Sequence, residues 1–145
     1  MAMGCIFCEI VAGRVPAEIV FEDEATLAFM DIAPIHRGHT LVIPKKHATD
    51  VFEISPDDAA AVMQTAQKVA HAVKAGLHCD GVNLFQSNGS AAGQTVFHFH
   101  VHVLPRWKGD RTITLLRSYS PEEGDLLRTA DQIRQAMGPD AHKFT

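Results

Sequence analysis

The sequence predicts an α+β fold: a five-stranded antiparallel sheet with one long helix and one C-terminal helix. Two observations carry this. Five short runs of strand character surround a single long stretch of helical periodicity, and Pro, Gly and Asn/Asp clusters punctuate the intervals between them. A chain of 145 residues, 46% of them hydrophobic, is sized for one core. Residues 1–145 are therefore read as a single domain, with 110–145 as a C-terminal extension.

Taken in order, residues 6–13 form a short helix ended by Gly13. Residues 17–22 and 25–30 form two strands about the turn-prone Glu22-Asp23-Glu24. Ala33-Pro34-Ile35-His36-Arg37-Gly38 is a loop, and His39 to Pro44 is a third strand. The clearest helix runs from Pro56 to Ala75. Ser55 suits its N-cap, Pro56 its first position, and Asp57 and Asp58 the positive end of its dipole, while Gly76 should stop it. Val62, Met63, Ala66, Val69, Ala70 and Val73 give it one apolar face. Gly81 to Gln86 is the fourth strand, Ser87 to Gly93 a small-residue loop, and Thr95 to Leu104 the fifth strand. The capping-box pattern Ser120-Pro121-Glu122-Glu123 opens a last helix over about 121–137, and the tail 138–145 is expected to fray.

Composition excludes several classes. A net charge of −4 argues against broad nucleic-acid binding, which needs clustered Lys and Arg. No apolar run approaches the roughly 20 residues that cross a bilayer, so no membrane partner is expected. Met1-Ala2-Met3-Gly4-Cys5 does not read as a signal peptide, and the expected compartment is the cytoplasm. Three cysteines (Cys5, Cys8 and Cys79) make a poor disulfide framework. Cys79 reads as a small buried hydrophobe. Cys5-Ile6-Phe7-Cys8 is a C-x-x-C with a metal and a redox reading, and the redox reading wants a preceding strand that is absent here.

Histidine is the unusual residue, with nine copies. On a strand, His98, His100 and His102 point to one side, and Phe97, Phe99, Val101 and Val103 point to the core. At ~3.3 Å per residue the outer two lie roughly 13 Å apart. One metal ion does not easily collect such a row, whereas a chain of phosphates matches it. Packing alone does not explain three alternating imidazoles, because buried ones need hydrogen-bond partners.

His98-Phe99-His100-Val101-His102-Val103-Leu104 resembles the His-φ-His-φ-His-φ-φ signature of the histidine triad (HIT) family. Leu27 to Ile32, Gly38 to His47 and Asn83 to Gly89 resemble further family segments in the same order, so the likeness covers about residues 5–110. It implies an enzyme in which His100 attacks the α-phosphorus of a purine nucleoside phosphate derivative and becomes nucleotidylated before water releases the monophosphate. It also implies that His102 contacts phosphate or the leaving group, and that Asn88, Gln94 and Thr95 donate hydrogen bonds to phosphate. Asp31 would accept from the ribose, and Phe29 and Ile32 would line the base. Zinc-bearing branches of the family hold a structural zinc, implying Cys5, Cys8, His47 and His98 as ligands. The family fold further implies a homodimer.

The C-x-x-C and Pro44-Lys45-Lys46-His47 resemble bacterial Hint-like proteins. Leu104-Pro105-Arg106 followed by Gly109-Asp110 departs from the Gly-Gly-Arg ending of eukaryotic Hint proteins and looks more like Fhit or bacterial HIT proteins. The substrate class therefore stays open between purine nucleoside phosphoramidates and dinucleoside polyphosphates. Two rivals stand beside this reading: a metal-dependent phosphohydrolase, and a nucleotide-binding regulatory protein with weak catalysis.

Overall fold

The first hairpin turns on Asp23, whose carboxylate accepts from the backbone N–H of Ala25 (3.0 Å) and Thr26 (2.8 Å) and from the Thr26 hydroxyl (2.9 Å). That Asx turn joins β1 (Ile19–Glu22) to β2 (Thr26–Met30). In the computed structural model, which describes residues 4–111 and 119–139, these strands continue into a sheet with β3 (Thr40–Pro44), β4 (Gly81–Phe85) and β5 (Val101–Arg106). The order is β1-β2-β3-β5-β4 and every pairing is antiparallel, as the sequence predicted.

The two faces of the sheet are covered differently. Ala28, Val42, Val101 and Val103 pack against Val62, Ala66, Val69 and Val73 of helix α2 (Pro56–Leu77). Leu27, Phe29, Leu41 and Ile43 pack against Phe7 and Ile10 of the short helix α1 (Ile6–Val11). Cys79 is buried in the first of these cores, as expected.

Helix α2 starts as its caps predict: the Ser55 hydroxyl accepts from Asp58 N–H (3.1 Å) and Pro56 is its first residue. Its inner face differs by one residue from the expected stripe. Met63 is half exposed, whereas Thr65 is buried with its hydroxyl bonded to that of Thr26 (2.7 Å). The helix also runs through Gly76 to Leu77 and ends on His78 in the left-handed region (φ 54°). Leu77 packs against the core and closely over Gly38, and this contact sustains the last turn despite the weak helix propensity of glycine.

The strand predicted over 95–104 begins only at Val101. Upstream, Phe99 N–H leaves the ladder and donates to Ala48 O (2.7 Å) in the loop after β3. Phe97, expected in the core, is half exposed, while Phe99, Val101 and Val103 are buried.

The described residues 119–139 belong to a second compact unit. Its helix α3 (Asp125–Met137) starts four residues later than position 121. Gly124 takes φ +81°, and Glu122 N–H donates to the Asp125 carboxylate (3.0 Å), so the Ser120 capping box is not formed. No residue of α3 is buried. Beyond residue 139 the expected fraying lies outside the described residues. Among those residues no helix is long and apolar enough to cross a membrane.

Candidate active site and metal cluster

The departure of residues 95–100 from the sheet distributes the three triad histidines among different partners. His98 is fully buried and His100 nearly so, while His102 stays on β5 and reaches solvent in part. Each ring has one nitrogen fixed by a hydrogen bond, which assigns its tautomer in the neutral state.

His98 Nε2–H donates to Pro44 O (2.8 Å), leaving the Nδ1 lone pair free to face Cys5 and Cys8. His100 Nδ1–H donates to His98 O (2.7 Å), leaving its lone pair at Nε2. For His102 the chain is longer. Ile35 N–H donates to His39 Nδ1 (3.0 Å), so the proton of neutral His39 is on Nε2. That proton is donated to His102 Nδ1 (2.8 Å), and neutral His102 must then carry its own at Nε2. In their neutral forms His100 thus carries a lone pair at Nε2, and His102 carries a hydrogen-bond donor at Nε2.

Burial keeps these rings neutral. It pushes His98 down to about 4, against the Pro44 carbonyl that favours the charged form. His102 is pushed to about 4 by burial and then by the neighbouring His100 and His39. His100 and His39 are lowered as well, in each case mainly by burial. A neutral His100 is what nucleophilic attack requires.

Cys5 Sγ, Cys8 Sγ, His47 Nδ1 and His98 Nδ1 form a tight group. His98 Nδ1 lies 3.4 Å from Cys5 Sγ, 3.6 Å from Cys8 Sγ and 3.2 Å from His47 Nδ1, and Cys8 Sγ lies 3.4 Å from His47 Nδ1. Donors around a tetrahedral zinc sit roughly 3.3–3.8 Å apart, given metal–donor distances of about 2.0–2.3 Å. The donor set, the spacing and the His98 tautomer all fit that metal. Asp31, His39 and His102 also gather within 4.8 Å of one another. Their chemistry fits less well. A cation on His39 Nε2 must displace the proton shared with His102 and break the Ile35 hydrogen bond, because a neutral imidazole has only one lone-pair nitrogen.

The remaining expected site residues fall into two groups. Asp31 accepts from Ala33 N–H (2.9 Å) and brings its second oxygen to 3.6 Å from His39 Nε2. Phe29 is buried edge-on to Phe7 (centroids 5.3 Å), whereas Ile32 is almost wholly exposed. Gln94 is buried and fully engaged: its oxygen accepts from Gly89 N–H (2.7 Å), and its amide donates to Thr49 O (2.7 Å) and Val96 O (3.1 Å). Asn88 accepts from Val51 N–H (2.7 Å) and exchanges hydrogen bonds with Gln86. Thr95 is exposed at a cleft of about 430 Å³ that Cys5 and His47 also line.

Three neighbours of the site went unassigned from sequence. His39 orients His102, Phe85 stacks flat on His102 (4.2 Å, 4°), and Phe7 meets His100 edge to face (5.2 Å, 88°). The signal for His39 was a histidine opening an otherwise apolar strand. Phe7 lies inside the C-x-x-C and Phe85 on the fourth strand, and neither residue type marks a site role.

Comparison with known proteins agrees with this geometry. Residues 12–109 match the HIT domain, and the chain belongs to the HIT family. It is 46% identical over 110 residues to protein hit of Bacillus subtilis, covering 75% of this chain and 76% of that one. It is 37% identical to the adenylylsulfatase HINT3 of Arabidopsis thaliana over 73% of this chain and 54% of that one. Among solved structures, a HIT family protein from Bacillus anthracis superposes with a TM-score of 0.86 at 39% identity, covering 94% and 99% of the two chains. A zinc-bound histidine triad family protein from Mycobacterium smegmatis gives 0.74 at 46% identity, covering 92% and 98%.

Proposed function

We propose that the protein is a nucleotide hydrolase or nucleotidyltransferase. It would act on the α-phosphate of purine nucleoside phosphoramidates or dinucleoside polyphosphates through a nucleotidyl group on His100. The observation that carries this reading is the His100 tautomer: Nδ1–H is held by His98 O, and the Nε2 lone pair has no hydrogen-bond donor among the described residues.

In the first step Nε2 of His100 forms a bond to the α-phosphorus. The bond from that phosphorus to the leaving group breaks, and the leaving group departs with its electron pair and takes its proton from solvent. The phosphorylated ring is then cationic, and the hydrogen bond from Nδ1–H to His98 O stabilises it. Water next attacks the same phosphorus and gives up a proton to solvent, the P–N bond breaks, and the ring recovers its lone pair as the monophosphate leaves. His102 Nε2–H donates to a phosphate oxygen or the leaving group, from a position set by His39 before reaction begins. Asp31 accepts from ribose hydroxyls, with Phe29 and Ile32 at the base. Asn88 and Thr95 meet the phosphates, and Gln94 supports them by fixing the loop that carries Gly89.

Zinc on Cys5, Cys8, His47 and His98 would be structural, because four protein donors leave no open position for water. The zinc-bound mycobacterial relative and the donor spacing support this, and the Arabidopsis relative's name supports chemistry at an adenylyl group. We place the protein in the cytoplasm as a homodimer; among the described residues β4 is an edge strand that exposes Leu84, a surface suited to pairing, and light scattering at monomer mass would remove the dimer.

The test is turnover of adenosine 5′-phosphoramidate and diadenosine tetraphosphate by wild type and His100→Ala, with protein mass read after an acid-free quench. Loss of turnover in the variant, with fold and metal content kept, and a one-nucleotidyl mass gain in wild type are expected. An active His100→Ala would overturn the mechanism, and inactivity of both proteins would favour a binding role.

A further inference from the structure

The two cysteines of the metal cluster bracket a residue that touches the nucleophile. Cys5 is the N-cap of α1, its sulfur accepting from Cys8 N–H (3.4 Å), and Phe7 projects from the turn between them. Phe7 is 6% exposed. Its ring stands perpendicular to His100 (5.2 Å, 88°) and edge-on to His98 (5.9 Å) and Phe29 (5.3 Å). Among the described residues, the other ring against His100 is His102 (4.8 Å). Nothing covalent holds α1 over the site, and the helix has only six residues. A segment that short is not stable by itself, so its position depends on its packing and on what Cys5 and Cys8 bind.

A second path joins the same two places. His98 offers Nδ1 to the cluster, and its own backbone carbonyl holds His100 Nδ1–H. The cluster therefore reaches His100 from both sides: through the peptide that fixes its tautomer, and through the ring that limits its swing.

We propose that Phe7 is a positioning residue that holds the His100 ring in its attacking orientation, and that metal on Cys5, Cys8, His47 and His98 sets the place of Phe7. The proposal rests on His100 being the nucleophile. It makes the metal cluster a control on turnover, with no part for the metal in the chemical step. A misplacement of about 1 Å in a reacting group costs on the order of 100-fold in rate.

The experiment uses the metal-loaded protein, Phe7→Leu and Phe7→Ala, with His100→Ala as reference. Metal content, circular dichroism, kcat and KM are measured, together with nuclear Overhauser contacts between the Phe7 and His100 rings before and after chelation. Phe7→Leu should keep metal and fold yet lose about 10-fold or more in kcat, with KM changed by less than about 3-fold. Chelation of wild type should weaken the ring contact and lower kcat. It should lower kcat much less in Phe7→Leu, where the link is already cut. If Phe7→Leu turns over like wild type while His100→Ala is dead, the positioning role is wrong and the mechanism survives. If His100→Ala is active, the mechanism itself has failed. A ring contact and kcat that both persist after full metal removal overturn the coupling. Should the metal-free protein unfold, the kcat of loaded Phe7→Leu decides alone.

Discussion

At the scale of single residues, the site is a matter of where protons sit. The donor at His102 is fixed by a relay that begins at a backbone amide, Ile35 N–H, and passes through His39. His39→Gln breaks that relay without opening a large cavity. It should lower kcat by about 10-fold, roughly 1.4 kcal/mol of barrier, with the fold intact. Steady-state kinetics checks it, and an unchanged kcat would mean His102 needs no orientation. The same rings make stability depend on pH. In the unfolded chain they titrate near 6.5, whereas in the fold burial lowers His39 and takes His102 to about 4. Between those values the unfolded chain binds more protons, so stability rises with pH. The contribution of His102 is complete above about pH 6.5 and is lost as pH falls toward 4, at no more than about 1.4 kcal/mol per pH unit, and that of His39 is lost in the same direction. Urea midpoints from pH 7 to 5 should fall less steeply in His102→Gln than in wild type, and parallel curves would contradict this.

At the scale of elements, two chain segments are set by contacts far away in sequence. Gly38 has φ +84°, and a Cβ there would collide with Leu77 Cδ1 and lie 2.8 Å from Pro105 Cγ. Gly38→Ala should destabilise by about 2–4 kcal/mol, from the backbone conformation and the overlap together. The cost should shrink in a Leu77→Ala background, where one of the two clashes is gone. Denaturation midpoints measure both, and a loss under about 1 kcal/mol for the single variant would refute the crowding. These contacts also explain what the sequence did and did not disclose. Ser55, Pro56, Asp57 and Asp58 announced the start of α2 because capping is local. Its end at Leu77 was hidden, because packing over Gly38 decides it. Alternation from His98 to Val103 was readable, and so was the apolar set Phe99, Val101 and Val103. The late start of β5 was not, since it hangs on Phe99 N–H finding Ala48 O. His39 escaped for the same reason: its role appears only once β3 lies beside β5.

At the scale of the whole molecule, a metal on the Cys5, Cys8, His47 and His98 cluster would tie together three segments of the chain. Cys5 and Cys8 come from the N-terminal helix, His47 from the loop after β3, and His98 from the segment that has left the sheet. Cys5 and His98 are 93 residues apart in sequence, and Cys8 and His47 are 39 apart. Clipping such distant points removes much of the freedom of the unfolded chain, as cross-links over long loops do. It would also give the buried Cys8 thiol and His98 imidazole, with the partly exposed Cys5 and His47, a stronger partner than weak hydrogen bonds. Purified protein should therefore hold about one zinc per chain, and exhaustive chelation should lower Tm by at least about 10 °C. At about 2–4 °C per kcal/mol for a chain of this length, that corresponds to a loss of roughly 2.5–5 kcal/mol. Cys8→Ser should lose zinc and melt near the chelated wild type, and should respond little to chelator. His100→Ala, whose side chain is not a donor in the cluster, should keep its zinc. Elemental analysis with thermal denaturation decides the matter: a metal-free protein whose melting ignores chelator would reduce the cluster to a set of buried thiols and imidazoles. A zinc-free Cys8→Ser that melts like loaded wild type would show that α1 is held by Phe7 and Ile10 packing alone.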